Sequence, residues 1–203
     1  MALITPAQGG FLASRSKSLF TASKGKDAKP SDSPTFYSRI LFTHEAIKSE
    51  AWVALMTALI EAGRDKFGKN FDAMWREGGI RSPIRRDIST KGYDAERFAA
   101  FIQMKAYEDN PPAILNRDGT KMIDQTLLYP GAQVRSSVKV RAYEFKLEAG
   151  GYSRGISIDM LGVQKISDAP RISGGGDGAE GLDALPEEAG AADPGLAGLL
   201  GLG

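Results

Sequence analysis

The sequence predicts a mainly β domain with one major α-helix, folded as a small closed or partly open β-barrel between flexible termini. Three observations carry that expectation. Residues 129–164 read as two antiparallel strands closed by the turn Ala149-Gly150-Gly151, and along the first of them the side chains sort by parity. Residues 97–107 sort in the same way. A single segment, with Trp52, Leu55, Met56, Leu59 and Ile60 at helical spacing, supplies the one substantial helix. About five to six strands follow from this reading, and closing them into a barrel hides edges that would otherwise invite aggregation.

The elements follow in chain order. Residues 1–35 are rich in Ala, Ser, Gly and Lys and poor in large apolar groups, so they are expected as a flexible basic arm. Residues 36–42, FYSRILF, have the aromatic and β-branched content of a first strand. Thr43 is the expected N-cap of the helix and Gly63 its end. His44, alone of its kind, is read as a surface or capping residue, and Phe71 and Trp75 as core anchors. Residues 78–91, GGIRSPIRRDISTK, form a basic loop in which Arg85 and Arg86 are candidates for phosphate contact.

Over residues 97–107 alanine and methionine favour a helix, but only a strand separates the residue types. Phe98, Ala100, Ile102, Met104 and Ala106 share one face; Phe101, Gln103, Lys105 and Tyr107 share the other. Asn110-Pro111-Pro112 ends that strand, and the Asp118-Gly119 step marks a hairpin carrying Arg117 and Lys121 near its tip. After Tyr129-Pro130-Gly131 the next strand puts Val134, Val138, Val140 and Ala142 on the core side. Its other side shows Arg135, Lys139, Arg141, Tyr143 and Phe145. From Arg154 a last strand turns Ile156, Ile158 and Met160 inward.

Composition narrows the chemistry. The chain has 203 residues, 42% of them hydrophobic, and no cysteine, which excludes a disulfide framework, a thiol nucleophile and thiolate-ligated zinc. No apolar run approaches the roughly 20 residues needed to span a bilayer. The first residues lack the pattern of an export signal, so a cytoplasmic location is expected. The net charge of +1 conceals an asymmetry. All 26 lysines and arginines but only 19 of the 25 acids precede residue 173, so the body carries +7 and the tail, residues 173–203, carries −6. A basic body of this kind is suited to a polyanion, and an acidic tail to competing for the same surface or recruiting other proteins. Glycine, alanine, acids and prolines dominate that tail, which is expected to be disordered.

Catalytic motifs are not found. There is no phosphate-binding Gly-rich loop ending in Gly-Lys-Ser/Thr, no His-Glu-x-x-His helix and no Gly-x-Ser-x-Gly elbow. The acid pairs Glu108-Asp109 and Glu187-Glu188 are adjacent in sequence and read as solvated surface. No enzyme activity, cofactor or metal is therefore expected. Binding chemistry is better represented: phosphates call for cations, and unpaired bases call for flat rings. Both occur together on one face of each of two strands. Such a set belongs on the sheet face of an oligonucleotide-binding barrel.

Between residues 36 and 170 the succession Ser-Pro-Ile-Arg-Arg-Asp, an aromatic strand, Pro-Pro-Ala-Ile-Leu, Leu-Tyr-Pro-Gly-Ala-Gln-Val-Arg, Val-Arg-Ala-Tyr-Glu-Phe and Gly-Ile-Ser-Ile-Asp-Met-Leu-Gly-Val-Gln-Lys resembles the phage single-stranded DNA-binding proteins. The similar families are those related to the T7-type protein, one of them long described only as a domain of unknown function. The resemblance implies an oligonucleotide-binding fold over residues 36–172 that coats single-stranded DNA with low sequence preference in phage replication and recombination, in the cytoplasm of the infected bacterial cell. It also implies an acidic tail that contacts replication or recombination proteins, and it leaves room for a homodimer. This chain departs from some of those relatives in ending Leu-Gly-Leu-Gly rather than on an aromatic residue. Arg85, Arg86, Lys105, Arg117, Lys121, Arg135, Lys139 and Arg141 are the expected phosphate contacts. Phe101, Tyr107, Tyr143 and Phe145 are the expected stacking rings. A protein-interaction scaffold is the alternative reading, and a metal-dependent nuclease the third.

Overall fold

The computed structural model describes residues 2–14, 17–24, 33–148 and 150–172. It is mostly β-sheet with one main helix. The strands are β1 (Leu3–Ile4), β2 (Gly10–Leu12), β3 (Thr35–Thr43), β4 (Ile84–Arg85), β5 (Phe98–Tyr107), β6 (Ala113–Leu115), β7 (Gln133–Lys146) and β8 (Tyr152–Ser167). The helices are α1 (Lys17–Phe20), α2 (Glu50–Phe67) and α3 (Phe71–Arg76). Among the described residues no helix is long and apolar enough to cross a membrane.

The ladder runs β1-β7-β2-β3-β5-β8-β6, and because β7 also pairs with β8 the hydrogen bonding returns on itself as a ring. Two seams of that ring are thin. β2 meets β7 only at Phe11 and Gln133, and β5 meets β8, in parallel, only at Lys105 and Asp159. The longest ladder is the β7–β8 hairpin, closed as expected by a glycine turn in which Gly150 and Gly151 both take positive φ and the Gly150 amide donates to the Leu147 carbonyl at 3.0 Å.

The alternation expected of β7 is observed. Val134 and Val138 are fully buried, whereas Lys139, Arg141 and Phe145 are exposed. Both irregularities in the ladder add their extra residue to β8, at Leu161 and at Ile166, so the parity of β7 runs unbroken. In β8 the bulge at Leu161 reverses the expected parity and turns Val163 into the core. The Asp118-Gly119 hairpin forms, with Gly119 at φ 85, although its return strand shrinks to the single bridge Leu115–Lys121. β6 pairs instead with β8.

Helix α2 lays Trp52, Leu55 and Leu59 into the main core, with the Trp52 ring 5.1 Å from that of Phe42. Its start differs from the expected one. Thr43 accepts from the Ala46 amide at 3.2 Å, which makes a single 3-10 turn over Ala46–Lys48. Ser49 then caps α2 by accepting from the Trp52 amide at 3.3 Å. The far end runs past Gly63 to Phe67, because Gly63 is an interior position whose missing side chain admits the Phe71 ring. Phe71 is buried and its ring is tilted against that of Trp75, centroids 5.5 Å apart, as anchors of the core.

The described parts of the N-terminal segment correct the expectation of a flexible arm. β1 pairs with β7, β2 bridges β3 and β7, and Leu12 and Leu19 belong to the main core. Isolated apolar residues were enough because each fills a place in a sheet supplied by the rest of the chain. The tail, residues 173–203, lies outside the described residues.

Candidate nucleic-acid interface

The thin seam between β5 and β8 opens a groove. Away from Lys105 and Asp159 the two strands diverge, and residues 81–85 fill the gap. The Arg81 amide donates to the Arg154 carbonyl at 3.0 Å and the Ile156 amide to the Arg81 carbonyl at 2.9 Å. On the other side Ile84 and Arg85 pair with Ile102 and Phe101 of β5. The Ser82-Pro83 step suits this crossing, since the proline fixes φ while its carbonyl accepts from the Gln103 amide at 3.2 Å. The resulting groove of about 830 Å³ is lined by Tyr37, Arg81, Arg85, Gln103, Lys105, Tyr107, Arg141, Tyr143 and Phe145, among others.

Six residues expected from the sequence thus converge: Arg85, Lys105, Tyr107, Arg141, Tyr143 and Phe145. Tyr143 and Phe145, two residues apart on β7, stack with ring centroids 5.9 Å apart and planes 19° from parallel. Phe145 is 54% exposed. Arg141 lies across the seam: its Nη2 donates to Asp159 Oδ1 and to Tyr107 Oη, each at 3.2 Å. Lys105 Nζ lies 5.0 Å from the Tyr107 ring centroid. Burial would push the Tyr107 phenol up, but donors from Lys105 and Arg141 outweigh it and hold the group below the ordinary tyrosine range. Lys139 and Lys105 both face Asp159 in the ladders. Of the three cations only Arg141 is in contact with the carboxylate; Arg81, Arg85, Lys105 and Arg141 line the groove and, among the described residues, no acid does, which leaves it positive.

Tyr37, Arg81 and Gln103 line the groove and were not among the expected site residues. Tyr37 faces Lys105 across the β3–β5 ladder; its hydroxyl accepts from Gln103 Nε2 at 3.0 Å and from Arg39 Nη2 at 3.1 Å. The signal for it lies in the alternation of residues 36–42, which puts Tyr37 on the face opposite Phe36, Ile40 and Phe42.

Phe101 corrects the expectation. It is fully buried, in a second small core with Leu41, Ile88 and Phe98, against which Phe11, Tyr93 and Ile172 pack. The Arg39 guanidinium lies 4.9 Å from its ring centroid. Phe98 joins this core rather than the main one because the ladder shifts between Phe42 and Thr43, leaving Ala99 as an extra residue in β5. Segment 84–93 covers the outer face here, so the ring meets protein where a solvent-facing position was expected.

The remaining cations lie outside the groove. Arg86 is exposed and does not line it. Arg135 Nε donates to Gln164 Oε1 at 2.8 Å, and Gln164 Nε2 donates to the carbonyls of Asn116 and Arg117 at 3.1 and 3.0 Å. Arg117 lines a second, shallower depression of about 660 Å³ with Asn116, Lys165 and Asp168. Lys121 bridges nearby at Leu115. Among the described residues Lys139, Arg117 and Lys121 make no ion pair.

The Tyr129-Pro130-Gly131 turn clamps the end of β8. The Tyr129 hydroxyl donates to Asp168 Oδ1 at 2.9 Å, and the Ile172 amide donates to the Pro130 carbonyl at 3.1 Å. Gly131, at φ 111, presses so closely on Pro170 and Arg171 that a side chain there would collide with their backbone. Among the described residues no group of three His, Asp or Glu side chains converges as metal ligands would.

A family model described as Enterobacter phage Enc34, ssDNA-binding protein, matches residues 17–192. No curated protein sequence matches the chain. Among solved structures, the C-terminal truncation of the single-stranded DNA-binding protein from bacteriophage Enc34 aligns with a TM-score of 0.56 at 17% identity, covering 80% of this chain and 84% of that one. The same phage's protein in complex with ssDNA aligns with a TM-score of 0.55 at 17% identity, covering 80% and 85%. The gp2.5 single-stranded DNA binding protein encoded by bacteriophage T7 aligns over 95% of this chain and 99% of that chain, at 13% identity and a TM-score of 0.49. At such identities the Enc34 structures speak for a shared fold.

Proposed function

We propose that this chain, which belongs to the family of the Enterobacter phage Enc34 ssDNA-binding protein, binds single-stranded DNA in the groove between β5 and β8. Its part is to protect single strands during phage DNA replication and recombination, in the cytoplasm of the infected host, as a binder without chemistry of its own. The observation that carries this reading is the pairing of an exposed ring with cations on one sheet face: Phe145 on Tyr143, beside Arg141 and Lys105. An unpaired base needs a flat apolar face and a phosphate needs a mobile positive charge, and every nucleotide offers both. Low sequence preference follows, since a ring face and a cation do not distinguish one base from another; the Gln103 Nε2 donor, moreover, is engaged with Tyr37.

A salt titration of oligonucleotide binding tests this. With about four phosphates neutralised, log affinity is expected to fall with log salt at a slope of about −3, and duplex DNA is expected to bind more weakly. An affinity indifferent to salt would point to a protein-binding scaffold instead. Cleavage of the oligonucleotide in added magnesium or manganese would point to a nuclease.

Beyond the groove the outer face of β7 continues through Lys139 and Ser137 to Arg135, about 20 Å from Arg141 at the rise of a strand, and Gln164 links Arg135 to the Arg117 loop. The strand of DNA is read as following this line. Replacing Arg117 and Lys121 together by alanine is then expected to weaken an oligonucleotide of about 12 nucleotides roughly fivefold while leaving one of about 5 nucleotides unchanged. Equal losses on both lengths would remove the Arg117 loop from the path. Arg86 is kept as a contact to a longer strand at the groove's rim. The acidic residues beyond Ile172 are read as a competitor for the groove and as a contact for replication or recombination proteins; a homodimer is compatible with this arrangement.

A further inference from the structure

The stacked pair in the groove stands opposite a position with no side chain. Tyr143 faces Gly155 directly in the β7–β8 ladder. A Cβ built on Gly155 would lie 2.5 Å from Cζ of the Tyr143 ring and closer still to its hydroxyl. Gly155 is not among the glycines of positive φ, so its backbone does not call for glycine; the space above it does. The backbone there is also held from both sides. β7 pairs with it on one edge, and Arg81 bridges it on the other through the hydrogen bonds to Arg154 and Ile156. An added methyl group would therefore move the ring rather than the strand. Phe145 rests on that ring at 5.9 Å with its outer face open. Whatever displaces Tyr143 takes the seat of Phe145 with it.

We infer that Gly155 is a positioning residue for base binding: by leaving room for Tyr143 it sets the outer face of Phe145 to receive one unpaired base. This rests on the proposed binding of single-stranded DNA. Tyr143 is then a pedestal, its faces taken up by Gly155 and Phe145, and Phe145 is the ring that meets the ligand.

The test couples the protein to a single base. Affinity is measured for an oligonucleotide and for a series carrying one abasic site at successive positions. With the unaltered protein, one position is expected to cost about tenfold, the loss of one stacked base. Gly155→Ala is expected to bind the intact oligonucleotide about tenfold more weakly, to show no further loss at that abasic position, and to keep the salt slope, because the phosphate contacts stay. Tyr143→Leu, which adds no atom to the ladder, is expected to abolish the abasic penalty as well, and Tyr143→Phe to retain it. A full penalty in both Gly155→Ala and Tyr143→Leu overturns the inference. So does an unaltered protein that binds DNA without any abasic penalty, a result that leaves the proposed function standing. Absence of DNA binding by the unaltered protein would instead remove the proposed function itself.

Discussion

Replacing Phe101 with alanine is expected to lower the stability of the fold by about 3–5 kcal/mol, read as a fall in the denaturant midpoint. The ring is wholly enclosed by Leu41, Ile88 and Phe98. Tyr93 meets it edge-on at 6.3 Å, and the Arg39 guanidinium covers it. Truncation leaves a cavity in a small cluster with little capacity to collapse, because β3 and β5 fix two of its walls. A loss of that size is a large part of the 5–15 kcal/mol that holds an ordinary domain together. Oligonucleotide affinity of the folded protein, measured well below the unfolding transition, is expected to stay within about twofold, since the fully buried ring offers no surface to a ligand. An unchanged midpoint with a large loss of affinity would return Phe101 to the binding face.

Phe145→Ala is expected to do the reverse. The side chain is more than half exposed and its ring leans on Tyr143 alone among the aromatic rings of the described residues. Its removal should leave the denaturant midpoint nearly where it was. Binding of single-stranded DNA should weaken by about 1–3 kcal/mol, between about fivefold and 150-fold. Phe145→Trp keeps a flat face and should preserve most of the affinity. The pair of variants separates a ring that holds the protein together from the ring proposed to stack on the nucleic acid. If Phe145→Ala binds as well as the unaltered chain, stacking at this position plays no part.

These two phenylalanines show how far parity can be read. In β7, and in β5 from Ala100 onward, alternation separates the faces as expected, because a strand's side-chain period is fixed by its backbone. Parity says which face a residue occupies and nothing about what lies over it. The outer face of β7 near Phe145 is open, whereas that of β5 at Phe101 lies beneath residues 84–93, which approach by long-range pairing. The bulge at Ala99 that turns Phe98 away from the main core has no local signature either. Strands of two and three residues such as β1 and β2 carry too few positions to alternate, and so residues 1–35 read as an arm. The bridging role of residues 81–85 was hidden for a related reason: the basic loop was visible, but its attachment to β5 and β8 depends on residues far along the chain. The resemblance to phage single-stranded DNA-binding proteins, carried by motifs between residues 36 and 170, is borne out by the family match over residues 17–192.

The placing of both bulges in β8 makes the two strands of the hairpin unequal in their tolerance of length change. β8 already accommodates surplus residues at Leu161 and Ile166, and it has room to gain or shed one at those places while the ladder on either side keeps its partners. β7 has no such slack. One residue inserted between Val134 and Phe145 would turn its valines to solvent and its lysine and arginines toward the core, exchanging interior for exterior along the whole strand beyond it. Insertions and deletions among descendants of this chain should therefore accumulate in β8 and spare β7, whose length acts as the ruler for the face proposed to meet the DNA.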